Sequence, residues 1–376
     1  MNILVAGYQG YIGHALTKSL LNKGHNVIGV DNDARRINVL SMGSVSATGE
    51  NTISHPNLVQ YKADLTSQEF VTQLFKNHNF DAVVNLAHCP SAPFSMASNE
   101  QANYALVNNV VGTNNLLWGI KESAPECQYI TIGTAGEYNH YANIDIEEGY
   151  FTFTHNGRES VECIYPRRPG SIYHTSKVAS TYLIDFLSRT WGLKSTDVMQ
   201  GIVFGLYDGV DDNHTRFDTD EAFGTVLNRF CMQAILGQPL TVYGKGKHKR
   251  AFISLRDSVQ ALELAIENEP PAGRPRVWNQ LSEWHSMDDV ANLVIEVATE
   301  MGIEVQKTYI DTPRTESTED HYYNFVTKNL TDLGFSPERN IREEIEYTLK
   351  ALQSQNTDSS LSVLENVIKP NIKWNK

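Results

Sequence analysis

The chain has 376 residues, 41% of them hydrophobic and 20% charged, with 31 basic against 44 acidic side chains and a formal charge of −13. That length suits a large nucleotide domain plus a smaller second lobe, and the acidic balance argues against nucleic acid or an anionic membrane as a general partner. No apolar run reaches the roughly 18 residues of a membrane span. Four scattered cysteines (Cys89, Cys127, Cys163 and Cys231) form no CxxC pair, which points away from a metal site and toward reduced thiols in a cytoplasmic protein.

Residues 2–6 read as a short buried strand, and no leader is expected before it. It runs into Gly7-Tyr8-Gln9-Gly10-Tyr11-Ile12-Gly13. A helix follows over 11–22, closed by Lys23-Gly24, and a second strand over 26–30 ends at Asp31. In such a unit the glycines let backbone approach a pyrophosphate at a helix N-terminus, with Gly7, Gly10, Tyr11, Ile12 and Gly13 around it. Asp31, with Asn32 beside it, is spaced to bind the adenosine ribose. An acid there favours NAD over NADP, whereas Arg35 or Arg36 could accept a 2′-phosphate. After a strand at 58–61, Asp64 and Leu65 suit the adenine edge. A buried strand at 81–87 brings Leu86 and Ala87 to the nicotinamide side. A helix over 99–122 carries Asn108, and a strand at 128–132 ends at Gly133-Thr134. Repeated strand–helix alternation predicts an α/β fold of Rossmann type, a doubly wound parallel sheet binding its ligand beyond the carboxyl ends of the strands.

Tyr173 and Lys177 lie four residues apart on a helix expected over 171–190, so they share one face. An ammonium there can pull the phenol toward neutrality, making Tyr173 a base for a sugar or alcohol hydroxyl. Lys177 would also hold the nicotinamide ribose, and Thr134 would hydrogen-bond the reacting oxygen. The chemistry so read is hydride transfer to NAD. His174, beside the base, suits a proton shuttle, and Glu137 is a second candidate acid. Taken alone, Thr134 is also a plausible strand-end cap and His174 a helix-surface residue without chemistry.

Six stretches carry a resemblance. They are Ser91-Ala92-Pro93-Phe94-Ser95-Met96, Asp145-Ile146-Glu147-Glu148-Gly149-Tyr150, Thr154-His155-Asn156-Gly157-Arg158, residues 223–230, Leu240-Thr241-Val242-Tyr243-Gly244-Lys245-Gly246, and His321-Tyr322-Tyr323-Asn324. Through them nearly the whole chain resembles the extended short-chain dehydrogenases/reductases that act on nucleotide sugars, and within these the UDP-sulfoquinovose synthase family. The resemblance implies a tightly bound, recycled NAD that oxidises C4 of a UDP-hexose. Water then leaves across C5–C6, a sulfur nucleophile adds at C6, and the hydride returns to C4. It implies a substrate set of Ser91, Thr134, Gln200, Asn228, Arg229, Thr241, Tyr243, Arg250, Arg314 and Tyr323, and a homodimer paired through the helices at 99–122 and 171–190. Arginine suits the diphosphate because its fork donates to two oxygens at once.

Two departures fall at the sugar pocket. The family reads Glu-Gln-Arg before Ser-Ala-Pro, where this chain has His88-Cys89-Pro90, so an arginine suited to an anionic nucleophile such as sulfite is missing. It also has Ala135 where methionine is usual. A UDP-hexose or UDP-hexuronate 4-epimerase, which needs only Thr134, Tyr173, Lys177 and NAD, is the alternative reading, and a non-catalytic nucleotide sensor is the third.

The expected organisation is a nucleotide domain over 1–205, with an inserted hairpin near 139–165 signalled by Asn156-Gly157, and a C-terminal α+β substrate lobe over 206–376. Residues 209–220 read as a mobile acidic loop over the sugar and 222–236 as an amphipathic helix. The helices at 287–301 and 341–353 read as cover, and the polar tail from 356 as a surface wrap.

Overall fold

The computed structural model describes residues 1–49, 52–138, 144–207, 215–311, 324–355 and 368. Seven parallel strands form the central sheet, in the order Arg276–Gln280, Lys194–Gln200, Gln128–Thr134, Ala82–Asn85, Asn2–Ala6, Asn26–Asp31 and Leu58–Lys62. The chain starts mid-sheet, builds outward to one edge, then crosses to the other side of its first strand. The order therefore reverses between Asn2–Ala6 and Ala82–Asn85, which pair with Ala6 opposite Asn85, and a crevice opens beyond their carboxyl ends. Ile3, Leu4, Val5 and Ala6 are wholly buried, as a strand covered on both faces requires.

The helix Tyr11–Asn22 covers one face, ending at Lys23 with Gly24 in the left-handed region. The helix expected over 99–122 is instead two α-helices, Asn99–Leu106 and Gly112–Ser123, joined by a wider π-type turn at Val107–Val111. Such turns turn side chains off the regular helical phase and cluster at functional sites. The helix Ile172–Trp191 is capped by the Ser171 hydroxyl, which accepts from His174 N, and closed by Gly192.

The sheet extends past residue 205. Arg276–Gln280 pairs with Lys194–Gln200 along its length, and the preceding helix Leu255–Glu267 packs against Tyr11–Asn22. Residues 255–280 thus return to the nucleotide-binding layer. The helices Val226–Ile235, Met287–Glu300 and Ile341–Gln355 build a separate core around Phe230, Met232, Val294, Ile345 and Leu349. Asn156 and Gly157, both at positive φ, turn a hairpin that pairs Thr154 with Glu159 and His155 with Arg158.

The acidic stretch differs from its expectation. Residues 208–214 lie outside the described residues, but 215–220 are buried rather than loose. Asp218 explains this: Arg35 Nε donates to it at 2.6 Å and Arg216 Nε at 2.7 Å. The two guanidinium groups hold its carboxyl below the usual range despite burial, so the segment is pinned to the nucleotide domain. Of the tail beyond 355, only Ile368 is described, and it is buried.

Glu344 is fully buried beneath Gly205, where a Cβ would come within 2.5 Å of its Oε1. Burial pushes its carboxyl up to about 7, against the pull of Arg339 and Arg256. A folded-state value raised in this way gives stability that is fully present below the unfolded value of about 4.3 and is lost as pH rises through about 7. Glu344→Gln, which stays neutral, should gain thermal stability relative to wild type between acid and mildly alkaline pH. Calorimetric melts across that range check it; a constant difference would exclude titration of Glu344.

Candidate active site

A cavity of about 450 Å³ occupies the crevice and runs from the glycine loop to the second lobe. At its nucleotide end Gly7 has φ +79, and a Cβ there would lie 2.7 Å from the Leu86 carbonyl. A Cβ on Gly13 would stand 2.0 Å from Gly7 O. Only glycine lets these backbones meet, and the resulting cradle fits a pyrophosphate above the helix that starts at Tyr11. Asp31 accepts from Gln9 N at 3.0 Å and Asp33 N at 2.9 Å, which fixes its carboxylate at the rim with lone pairs left for ribose hydroxyls.

Among the residues expected around a dinucleotide, Gly10, Tyr11, Ile12, Asn32, Arg35, Leu65, Leu86, Ala87 and Asn108 line the same cavity. Arg36 and Asp64 do not. Arg36 is exposed, and Asp64 caps its own turn through Thr66 while accepting from Asn32 Nδ2 at 3.2 Å. Arg35, tied to Asp218 and to Phe223 O at 3.1 Å, is engaged across the cavity mouth rather than held ready for a 2′-phosphate. The π-type turn aims two amides at the loop after Asn85. Asn108 Nδ2 donates to Ala87 O at 2.8 Å, and Asn109 both accepts from Cys89 N at 2.7 Å and donates to Cys89 O at 3.2 Å.

At the other end, Thr134, Tyr173, His174 and Lys177 come together on one wall. Thr134 hydrogen-bonds the Tyr173 phenol, which lowers its pKa, but burial and the Glu137 charge outweigh this and hold the phenol above its ordinary value. Lys177 does not reach Tyr173 directly, contrary to the simplest reading of the spacing. Its ammonium donates to Ile132 O and to His88 Nδ1, the latter at 3.0 Å. Burial brings Lys177 down to about 8, with Asp197 and Glu137 pulling the other way. Burial, then the Lys177 charge, holds His88 well below its usual value, so it is a neutral acceptor. Its Nε2 lies 3.2 Å from Thr113 Oγ1, which suits an Nε2–H tautomer.

Glu137 is not on the cavity wall. It turns back into the core, where Oε1 accepts from Thr134 N at 3.3 Å and Oε2 lies 3.1 Å from Thr181 Oγ1. The physical reason is a capping box: Thr134 and Glu137 close the short 3₁₀ turn between them. That Thr-x-x-Glu spacing was the sequence signal for a structural rather than a solvent-facing acid. His174 does face the cavity, with Nδ1 3.0 Å from Ser171 Oγ.

Of the residues expected around a substrate, Ser91, Gln200, Arg229, Thr241, Tyr243 and Arg250 line the same cavity. Gln200 donates to Ser258 at 2.6 Å, and Thr241 accepts from Gln233 at 2.9 Å. Asn228 lies behind the wall: it accepts from Gly205 N at 2.9 Å and its Nδ2 lies 3.3 Å from the Tyr11 hydroxyl. Arg314 and Tyr323 fall outside the described residues. His88, Tyr104, Phe223 and His248, which spacing did not single out as contacts, also line the cavity.

The profile of the NAD dependent epimerase/dehydratase family matches residues 3–280. The chain is 40% identical over 349 residues to the chloroplastic UDP-sulfoquinovose synthase of Spinacia oleracea, covering 89% of this chain and 72% of that protein. It is 38% identical to the UDP-sulfoquinovose synthase of Sulfolobus acidocaldarius, covering 100% of this chain and 98% of that one. The UDP-glucose 4-epimerase of Thermotoga maritima superposes with a TM-score of 0.73 at 20% identity, over 94% of this chain and 99% of that one, a likeness of fold.

Gly13→Ala should weaken NAD binding at least about tenfold, because its Cβ collides with backbone. Gly24→Ala, at positive φ but with open space around it, should leave NAD affinity unchanged and cost only about 1 kcal/mol of stability. Calorimetric titration with NAD checks both; equal affinities would remove the cradle.

Proposed function

The chain belongs to the NAD-dependent epimerase/dehydratase family, and from that membership we propose that it oxidises C4 of a UDP-hexose and rebuilds the sugar at C6. The observation that carries this reading is the meeting of Thr134, Tyr173 and Lys177 on one wall of a cavity whose other end is the glycine cradle. Kinship with UDP-sulfoquinovose synthases over most of the chain supports the choice of sugar and of C6 chemistry.

Bound in the cradle, NAD supplies the hydride acceptor and, once reduced, the donor. Tyr173 takes the proton of the C4 hydroxyl as the C4 hydride leaves, and Thr134 holds the same oxygen. Lys177, anchored on Ile132 O and His88, would hold the nicotinamide ribose and supply positive charge to this end of the cavity. The C4 ketone acidifies H5. His174 takes that proton and returns one to the hydroxyl that departs from C6 as water. A nucleophile then adds at C6, a proton returns to C5, and Tyr173 gives its proton back to the C4 oxygen. Arg229 and Arg250, on the second-lobe wall, suit the diphosphate.

One observation favours the second reading, C4 epimerisation alone. His88 and Cys89 line the cavity where a cationic side chain would be needed for an anionic nucleophile, and Pro90 beside them carries no charge. Incubation with UDP-glucose in deuterated water distinguishes the two. Deuterium at C5 is the expected result, while inversion at C4 without exchange would establish epimerisation. Tyr173→Phe should lower turnover by about 10²–10⁴ in either case; unchanged turnover would eliminate it as the base.

For the assembly, the support is an apolar face. The helices Asn99–Leu106, Gly112–Ser123 and Ile172–Trp191 and the turn between the first two expose Val107, Val111, Trp118, Tyr182 and Phe186, the last 54% accessible. A face of that kind suits a homodimer. Phe186→Asp should halve the mass measured by light scattering; an already monomeric wild type would refute the pairing. Among the described residues no helix is long and apolar enough to cross a membrane. The four free cysteines fit a reducing compartment, which we take to be the cytoplasm.

A further inference from the structure

Tyr173 and Lys177 continue into a third residue of the same row. Thr181 lies one further step of four along Ile172–Trp191, and its hydroxyl sits between two buried carboxyl groups. Oγ1 is 3.1 Å from Glu137 Oε2 and 2.9 Å from Asp197 Oδ2. A threonine hydroxyl has one hydrogen, and an ionised carboxylate only accepts. With both acids ionised, one of the two contacts would press lone pair against lone pair. One proton on the pair resolves this: a protonated Glu137 donates to Thr181, which donates to Asp197 across the shorter gap.

We propose that Glu137 and Asp197 hold a single proton between them through the Thr181 hydroxyl. On this proposal the pair is a positioning unit that sets the acidity of Tyr173 and the placement of Thr134. Both carboxyl groups are fully or almost fully buried, at 0% and 2% exposure. The cavity beside them, lined by Arg167, Thr181 and Asp197, measures about 10 Å³. It holds one water at most, so bulk solvent does not screen the pair.

The charges that face it are few. Arg167, Lys177 and Tyr138 face both acids, Tyr173 faces Glu137, and Tyr129 and Tyr150 face Asp197. Burial pushes Glu137 up to about 7 and raises Asp197 as well, against the pull of both cations. The pair touches the strand end that carries Thr134, at two successive residues. Glu137 accepts from Thr134 N, and Asp197 Oδ1 lies where a Cβ on Gly133 would come within 2.7 Å.

The consequence for catalysis follows from charge. Glu137 as an anion opposes formation of a Tyr173 phenolate. With one proton shared, the two acids carry a single negative charge against Arg167 and Lys177, and the surplus positive charge favours the phenolate. This deepens the proposed function and rests on Tyr173 being its base.

Infrared spectroscopy of the whole protein at neutral and alkaline pH tests it, alongside the pH profile of kcat/KM. A protonated-carboxyl stretch should appear in the wild-type minus Glu137→Gln difference spectrum at neutral pH and vanish from it in alkali. That variant fixes the one-charge state, so its kcat/KM should depart from wild type only above neutral pH, where the wild-type pair loses its proton and disfavours the Tyr173 phenolate, with KM little changed. Thr181→Val should shift or abolish the band and Thr181→Ser should restore it, which keeps the test decisive if Glu137→Gln fails to fold. A difference spectrum without the band would overturn the proposal, as would a band left unmoved in Asp197→Asn. Failure of the parent reading is separate: it shows as full turnover in Tyr173→Phe, whatever the spectrum.

Discussion

The site is organised by one costly fact, the burial of the Lys177 ammonium at 3% exposure. A cation removed from water must find carbonyls, neutral acceptors or anions, or lose its proton. Here it finds all three kinds of partner. Ile132 O and His88 Nδ1 are in contact, and Asp197 and Glu137 act at longer range. They come from three neighbouring parallel strands or the turns after them, Ala82–Asn85, Gln128–Thr134 and Lys194–Gln200, so the lysine ties these strand ends to the helix that carries Tyr173. That is why Thr134, His88 and Tyr173 share one wall although 46 and 39 residues separate them in sequence (134 − 88 and 173 − 134).

The two lobes meet by equally specific polar contacts. Tyr11, at the start of the cradle helix, donates its hydroxyl to Gly205 O, while Asn228 holds the Gly205 amide from the second lobe. On the opposite rim, Arg35 and Arg216 converge on Asp218. Both sets of groups are desolvated, so separating the lobes would expose or orphan several at once. A cavity walled in this way favours slow exchange of whatever lies along its floor, consistent with a cofactor recycled in place.

Much of this was legible in the chain. The glycine loop ending at Gly13 and the acid at Asp31 placed the nucleotide end, because only glycine fits where Gly7 meets Leu86. The four-residue spacing of Tyr173 and Lys177 put both on the cavity wall. Other features left no trace in local pattern. Arg276–Gln280 reads as polar, since its Arg276 stacks over Trp278 and its amides serve neighbouring loops, so the last strand was hidden. Residues 215–220 read as a loose acidic loop because their partner, Arg35, lies 183 residues away. Glu137 looked like a spare acid until its cap to Thr134 turned it inward.

The π-type turn at Val107–Val111 has a further implication. Such a turn amounts to one residue more than an α-helix needs over the same span. Shortening the segment by a single position would leave a regular α-helix over the same span, with Asn99–Leu106 and Gly112–Ser123 still in place but the residues between them re-aimed. The two asparagine amides that grip the Ala87–Cys89 loop would then swing off it, and the outward valines would lose their alignment with Trp118. The chain's length at this point therefore matters as much as its chemistry: the cofactor-side loop and the outer apolar face are kept in phase by the same inserted residue.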